Sequence, residues 1–123
     1  MEGERDIARL LDALEPRLHP ERYGFSLATD STLKDGQFAL VREDESLTTI
    51  GIDPSGEWAR ISLGVHSSLD AVGLTAALSS RLAGLGISAN IVAGRLHDHL
   101  FVPWDRREQA LDCLRSMSVN ERS

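Results

Sequence analysis

The sequence of 123 residues predicts an α+β fold, with antiparallel strands covered by helices, on three observations. Short segments in its second half alternate apolar with small or polar residues, as strands with one buried face do. These predicted strands cover 61–65, 87–92 and 99–103. Between the first two lies an amphipathic segment, 67–86, in which Leu74, Leu78 and Leu82 form one row of a helix. A second helical segment follows the last strand, so the second half of the chain predicts the order β-α-β-β-α.

The start of the central helix is predicted at Ser67. Asp70 follows three residues later, and this pair fits a capping box, which stabilises a helix start by about 1 kcal/mol. Gly84 and Gly86 supply the positive-φ stop. A helix between two strands of one sheet places its positive N-terminal end beside the middle of that sheet. We therefore expect this place to suit a small anionic ligand.

The first half of the chain predicts one helix and several short strands. Apolar residues at positions 7, 10, 11 and 14 follow helical spacing, and Pro16 ends that helix. The predicted strands cover 23–27, 38–41 and 47–52. The turn-forming run at 53–56 is the best candidate boundary, which gives units over 1–56 and 57–119 and a frayed tail over 120–123. We expect the N-terminal unit to be incomplete or atypical, because no helix is predicted among its strands.

The composition argues against several classes of partner and location. The chain carries 19 acidic residues against 13 Lys and Arg, so its net charge is −6, and nucleic acid and anionic membranes are poor partners. Cys113 is the single cysteine, which excludes an internal disulfide and a CxxC zinc pattern. The apolar positions near the N-terminus come every three or four residues, unlike those of a secretory signal. We therefore expect a cytoplasmic protein.

The segment AVGLTAALSSRLAGLGISANIVAG resembles the ACT domain, a small regulatory βαββαβ module. The longer string VHSSLDAVGLTAALSSRLAGLGISANIVAGRLHDHLFVP and the string LHPERYGF resemble a bacterial group of short ACT-like proteins. That resemblance implies a ferredoxin-like fold with two ACT-like units in one chain, and a homodimer. The C-terminal half supplies only three clear strands where the module needs four. We expect the missing strand to come from the N-terminal half or from a second subunit.

The resemblance also implies a ligand site. In ACT domains that bind amino acids, the ligand lies between the loop after the first strand and the second strand of the module. Carried onto this sequence, the ligand-binding residues are His66, Ser67, Ser68, Leu69, Asn90, Ile91 and Val92. Backbone N–H groups at the helix start would hold a carboxylate, and Asn90 would offer a donor and an acceptor to an α-amino acid. The alternative is that Ser67 only caps the helix and Asn90 only pairs or ends a strand.

The run His97-Asp98-His99 is a second group of chemically active side chains. If His97 and His99 lie on a strand, they point the same way and could share a metal ion or an anion, with His66 or Asp98 as a third ligand. The interpretation that we favour is a hairpin with one histidine packed against the sheet. No metal and no cofactor is predicted.

An enzyme is not predicted from this sequence. It contains no GxSxG elbow, no glycine-rich phosphate loop and no dinucleotide fingerprint. Cys113 falls among apolar positions of the last helix, where a small buried residue is expected. We predict a non-catalytic protein that binds a small metabolite, most simply an amino acid. The alternatives are an interaction protein that has lost its ligand, and a metal-dependent enzyme that uses His97, Asp98 and His99.

Overall fold

Six antiparallel strands form a single sheet in the computed structural model, which describes residues 6–117. The elements in chain order are α1 (Ile7–Asp12), β1 (Pro16–Leu27), β2 (Gln37–Arg42), β3 (Leu47–Ile52), β4 (Trp58–Leu63), α2 (Leu74–Gly84), β5 (Asn90–Ala93), β6 (Asp98–Pro103), a 3₁₀ turn (Trp104–Arg106) and α3 (Arg107–Arg115). The order of strands across the sheet is β2-β3-β1-β4-β6-β5. The predicted α+β class is confirmed. The predicted tail over 120–123 lies outside the described residues.

The strand that the C-terminal half lacks comes from the N-terminal half. β1 pairs with β4 in antiparallel register, with Leu18 opposite Ile61 and Tyr23 opposite Trp58. The order β1-β4-β6-β5 therefore gives the C-terminal half the four strands of a βαββαβ module. In the same way β4 lies beside β1 as the fourth strand of the order β4-β1-β3-β2. Each half thus contributes a strand to the other.

The N-terminal half differs from the C-terminal half in its connections. Residues 28–36 join β1 to β2, and residues 53–57 join β3 to β4, both without a helix. The predicted boundary at residue 56 falls within the second of these connections. Gly56 lies there in close contact with β1, because a Cβ atom on it would be only 2.2 Å from the Tyr23 carbonyl oxygen.

All three helices pack on one face of the sheet, which we call the helix-covered face. The core on this face is aliphatic, and its fully buried strand residues alternate along β4 and β6 with those of the opposite face. They are Ala59, Ile61, Leu63, Leu100 and Val102. The predicted row Leu74, Leu78 and Leu82 of α2 packs against them, so the helical spacing of that row is confirmed.

No helix of residues 6–117 lies on the opposite face, which we call the helix-free face. Its buried centre is Phe101, whose ring makes edge contacts with the rings of Tyr23, Phe25 and Phe38. Phe38 belongs to β2 and Phe101 to β6, and three strands lie between them in the sheet. Their ring centroids are 5.3 Å apart, so the sheet curves strongly around this aromatic cluster.

The predicted helix start at Ser67 is wrong. α2 begins at Leu74, after Gly73 with a φ of 98°, and no side chain caps its first turn. The Ser67 hydroxyl donates instead to the Asp98 carboxylate over 3.1 Å, so it is not available to the helix. The predicted stop is confirmed in part: α2 ends at Gly84 and Gly86 has a positive φ, whereas Gly84 does not have one. With 11 residues α2 is the longest described helix, and none of the described helices is long and apolar enough to cross a bilayer.

Candidate functional site

The loop between β4 and α2 folds over one end of β6. Ser67 is 8% exposed, and its hydroxyl donates to the equally buried carboxylate of Asp98, the first residue of β6. The next serine, Ser68, turns outward and donates to the Asp70 carboxylate. The two serines of the loop therefore have different roles, and only Ser67 is directed into the protein.

A small cavity of about 60 Å³ lies between this loop, the first turn of α2 and the ends of β5 and β6. Its lining residues are Ser67, Ser68, Leu69, Ala71, Leu74, Thr75, Ala93 and Asp98. A space of this size holds a small polar group rather than a whole side chain, since a single water needs roughly 10–15 Å³ of such volume.

The cavity lining combines an acidic side chain with the start of a helix. No Lys, Arg or His side chain of residues 6–117 forms an ion pair with the Asp98 carboxylate. Leu74 and Thr75 of the lining belong to the first turn of α2, which no side chain of the described residues caps. A buried carboxylate without a cation is unfavourable.

The structure brings part of the predicted ligand-binding set together. Ser67, Ser68 and Leu69 line the cavity, whereas His66 does not. The predicted strand residues lie on β5, the edge strand, and pair with β6. Their partners are Phe101 for Asn90, Leu100 for Ile91 and His99 for Val92.

The alternation of β5 separates these three strand residues from one another. Ile91 shares the helix-covered face and packs against its core. Asn90 and Val92 lie on the helix-free face, because their partners Phe101 and His99 do. The structure therefore does not bring Asn90 and Val92 to the cavity, and Ala93 is the residue of β5 that lines it.

Sequence reasoning missed the place of Asp98, which it treated as a possible metal ligand beside two histidines. The three side chains of that run make separate contacts. His97 Nδ1 lies 3.4 Å from the Val65 carbonyl oxygen, Asp98 accepts from Ser67, and His99 Nδ1 lies 3.4 Å from Arg60 Nη2. Among residues 6–117 no three His, Cys, Asp or Glu side chains are placed to hold a metal ion.

Cys113 lies in α3 and is buried in the aliphatic core, as its sequence neighbours predicted. Burial raises the pKa of its thiol above the ordinary value. The protonated thiol behaves as a small apolar group.

A β-α-β-β-α run completed by a fourth strand, with a polar cavity between the β4–α2 loop and the ends of β5 and β6, is a ferredoxin-like module. Two ACT-domain family models match the chain, one over residues 55–116 and one over residues 2–57. The chain therefore belongs to the ACT-domain family, with two ACT-like units in tandem. ACT domains are generally non-catalytic regulatory modules that bind small molecules.

Two solved structures have the same fold. A protein of unknown function from Vibrio cholerae, described as a possible transport protein, is 38% identical to this chain, and the match covers 87% of this chain and 92% of that chain with a TM-score of 0.72. A protein from Agrobacterium tumefaciens matches over 85% of this chain and 88% of that chain with a TM-score of 0.69. At 20% identity the second likeness shows the fold alone. A search of curated proteins gave no match.

Proposed function

We propose that this chain is a non-catalytic regulatory protein that binds an α-amino acid at the loop from His66 to Leu69. The observation that supports the proposal is the cavity lined by Asp98 and by residues of the uncapped first turn of α2. The α-ammonium group of the ligand would pair with Asp98. The α-carboxylate would accept hydrogen bonds from the N–H groups at the helix start.

The expected affinity follows from the size of the head group. A charge at a helix terminus contributes about 0.3–1 kcal/mol, and a hydrogen bond to a charged group contributes about 1.5–3 kcal/mol. An amino acid of about ten heavy atoms at roughly −0.5 kcal/mol per atom binds with a Kd somewhat below 1 mM. Such a Kd suits the sensing of a metabolite. The ligand side chain would lie outside the cavity, because a cavity of about 60 Å³ holds only the head group.

The proposal keeps His66, Asn90, Ile91 and Val92 as further contacts of the ligand, as the family resemblance implies. Asn90 is exposed on the edge strand β5 and faces away from the cavity. A ligand held by Asn90 as well as Asp98 must therefore extend around the free edge of β5. A substitution of Asn90 therefore distinguishes two hypotheses: a small site confined to the cavity, and a larger site that includes the edge of β5.

The test is a thermal-shift panel of the standard amino acids. We expect one or a few of them to raise the Tm of the wild type, and Asp98→Asn to abolish that rise while circular dichroism shows a retained fold. Asp35→Asn, which removes an exposed carboxylate far from the cavity in sequence, should keep the rise. A complete panel without any rise in the wild-type Tm would contradict the proposal. Loss of the rise in Asn90→Ala would support the larger site, and its retention the smaller one.

The proposal includes a homodimer in the cytoplasm. ACT domains often dimerise, and the helix-free face exposes apolar side chains of three strands, Leu27, Val41 and Ile52. The single buried thiol of Cys113 fits a reducing compartment. Light scattering that gave the mass of one chain, at every concentration tested, would contradict the dimer and leave the ligand proposal to its own test.

A further inference from the structure

A group of basic and polar side chains crosses the helix-free face, away from the amino-acid cavity. Arg17 of β1 lies opposite Ser62 of β4, and Ser62 lies opposite His99 of β6, so these three form one row across three strands. His19 contacts the row, with its Nε2 2.8 Å from the Ser62 hydroxyl. Arg60 lies two residues before Ser62 and points to the same face. We call these five residues the basic cluster.

Arg60 is held in place without a carboxylate. Its Nη1 donates to the Tyr23 hydroxyl over 3.0 Å, and its guanidinium carbon lies 4.6 Å from the centroid of the Phe38 ring. Its Nε is buried and has no hydrogen-bond partner among the residues that the structure describes. No Asp or Glu side chain of the described part of the chain pairs with this guanidinium. A half-buried guanidinium without a counter-ion is unfavourable on its own.

The two histidines of the basic cluster have lowered pKa values, because they are partly buried and lie near arginine side chains. Burial, followed by the charge of Arg60 and the rings of His97 and His19, lowers the pKa of His99 to about 4. Burial, Arg60 and Arg17 also lower the pKa of His19, and Glu21 is the one acid that opposes this. At neutral pH both rings are uncharged. Since Nδ1 of a neutral His99 accepts from Arg60, its Nε2 carries the proton and is a donor.

We propose that the basic cluster is an oxyanion site, in which Arg60, Arg17, Ser62 and His99 bind a phosphate or carboxylate group of a metabolite. The Phe38 ring under the guanidinium fixes the plane of its donor fork, and such a fork suits both kinds of oxyanion. Arg17 is exposed and the other cluster residues are half-buried, so part of the cluster is open to solvent. The site lies on the opposite face from the Asp98 cavity, and its test uses sulfate and acetate rather than an amino acid.

Binding at this site should be coupled to proton uptake. A bound anion favours the imidazolium form, so it raises the pKa of His99 and His19 from their lowered values. Protons are therefore taken up on binding, and affinity rises as the pH falls. We expect sulfate, whose charge is constant in this range, to bind at least about threefold more tightly near pH 5.5 than near pH 7.5.

The experiment is an NMR titration of the histidine ring signals of the full chain with sodium sulfate and with sodium acetate. Sodium chloride at equal ionic strength corrects for screening. The expected result is a saturable shift of the His99 and His19 signals with a Kd in the range of about 1–10 mM. Tighter binding of sulfate points to a phosphate group as the natural ligand, and tighter binding of acetate to a carboxylate. Shifts that stay linear and match those with chloride, for both anions, would overturn the proposal.

A matched pair of arginine variants tests the site itself. Arg60→Gln should weaken the binding by at least about tenfold, because it removes the central charge and its donor fork. Arg22→Gln is the control, since Arg22 also stacks on an aromatic ring and donates to the protein, at Trp104 and the Gly56 carbonyl oxygen. It should bind as the wild type does. If Arg60→Gln does not fold, Arg17→Gln is the second variant, because Arg17 is exposed. We expect Arg17→Gln to weaken anion binding severalfold. Wild-type affinity of Arg17→Gln for both anions would overturn the proposal.

Discussion

The two faces of the sheet are built from the same strands but differ in the residues they carry and in their contact with water. On β4, Ala59, Ile61 and Leu63 enter an aliphatic core under the helices, whereas Arg60 and Ser62 face an aromatic and basic surface on the other side. The helices exclude water from the first face, so its residues are apolar except where polar groups bond to each other, as Ser67 and Asp98 do. The second face keeps contact with water at its margins. It can therefore hold charged groups, and the sheet curves around the aromatic rings that lie among them.

The largest effect is expected from the helix-covered face. Leu78 is fully buried in α2, and Leu78→Ala should lower the free energy of unfolding by about 3 kcal/mol, because it removes apolar contacts and leaves a cavity. Denaturant unfolding measures this loss. Leu33→Ala, at an exposed position, is the control and should change stability by less than about 0.5 kcal/mol. Equal effects of the two substitutions would mean that α2 does not close this core.

A smaller loss in the free energy of unfolding is expected from a substitution at the centre of the helix-free face. Phe101→Leu keeps an apolar side chain but removes three edge contacts between rings, and we expect a loss of about 2 kcal/mol. Phe25→Leu is the matched control at the exposed rim of the aromatic cluster, with an expected loss of about 1 kcal/mol. The same unfolding assay compares them. If Phe101→Leu were no more damaging than Phe25→Leu, the helix-free face would lack a core of its own.

The smallest effect is a dependence of stability on pH that arises from His99 on the helix-free face. The pKa of His99 is about 4 in the folded chain and about 6.5 in an unfolded one, so the unfolded chain binds a proton first as the pH falls. The contribution of His99 to the free energy of unfolding is therefore fully present above about pH 6.5 and is lost as the pH falls to about 4. After allowance for solvent screening, we expect a loss on the order of 1 kcal/mol.

Unfolding curves of the wild type and His99→Gln between about pH 7 and pH 4 measure this contribution, and the difference between them should change with pH. Leu33→Ala changes no ionisable group and should follow the wild-type profile. A His99→Gln profile parallel to that of the wild type would show that His99 does not link the helix-free face to pH.

The sequence contained enough to predict the helices and strands of the C-terminal half, because periodicity is local information. The leucine row of α2 is an example, since all three residues are buried as their spacing predicted. The start of α2 was not predictable in this way. Ser67 has the right sequence context for a cap, but its hydroxyl is taken by Asp98, which lies 31 residues away.

β1 shows a second limit of local reasoning. The sequence predicted a strand from Tyr23, whereas β1 begins at Pro16 and passes through Pro20. A change of register between Leu18 and Arg22 accommodates this second proline, which has no N–H to give to a ladder. Pairing of β1 with β4 also depends on residues far apart in the chain, and periodicity does not report it.

The sequence did contain a signal for the site, which is the position of Asp98 in an apolar row of β6. The two-residue period of β6 places Asp98 in the same row as Leu100 and Val102, which are buried. An acid in an otherwise apolar row is uncommon and indicates a specific role. From the sequence, Asp98 was a candidate only as a third metal ligand beside His97 and His99, and the favoured interpretation was a hairpin without a metal. The ligand itself is not predictable from one strand, because the cavity walls come from four elements.

The exchange of strands between the halves has a consequence for how the molecule folds. β1 of the N-terminal half pairs with β4 of the C-terminal half, so neither half forms a four-stranded sheet without a strand from the other. Cutting the chain at the Gly56 turn would leave two fragments, each with an unsatisfied ladder of backbone donors and acceptors. The chain should accordingly melt in a single cooperative step, and two such fragments mixed together should reassemble rather than fold alone.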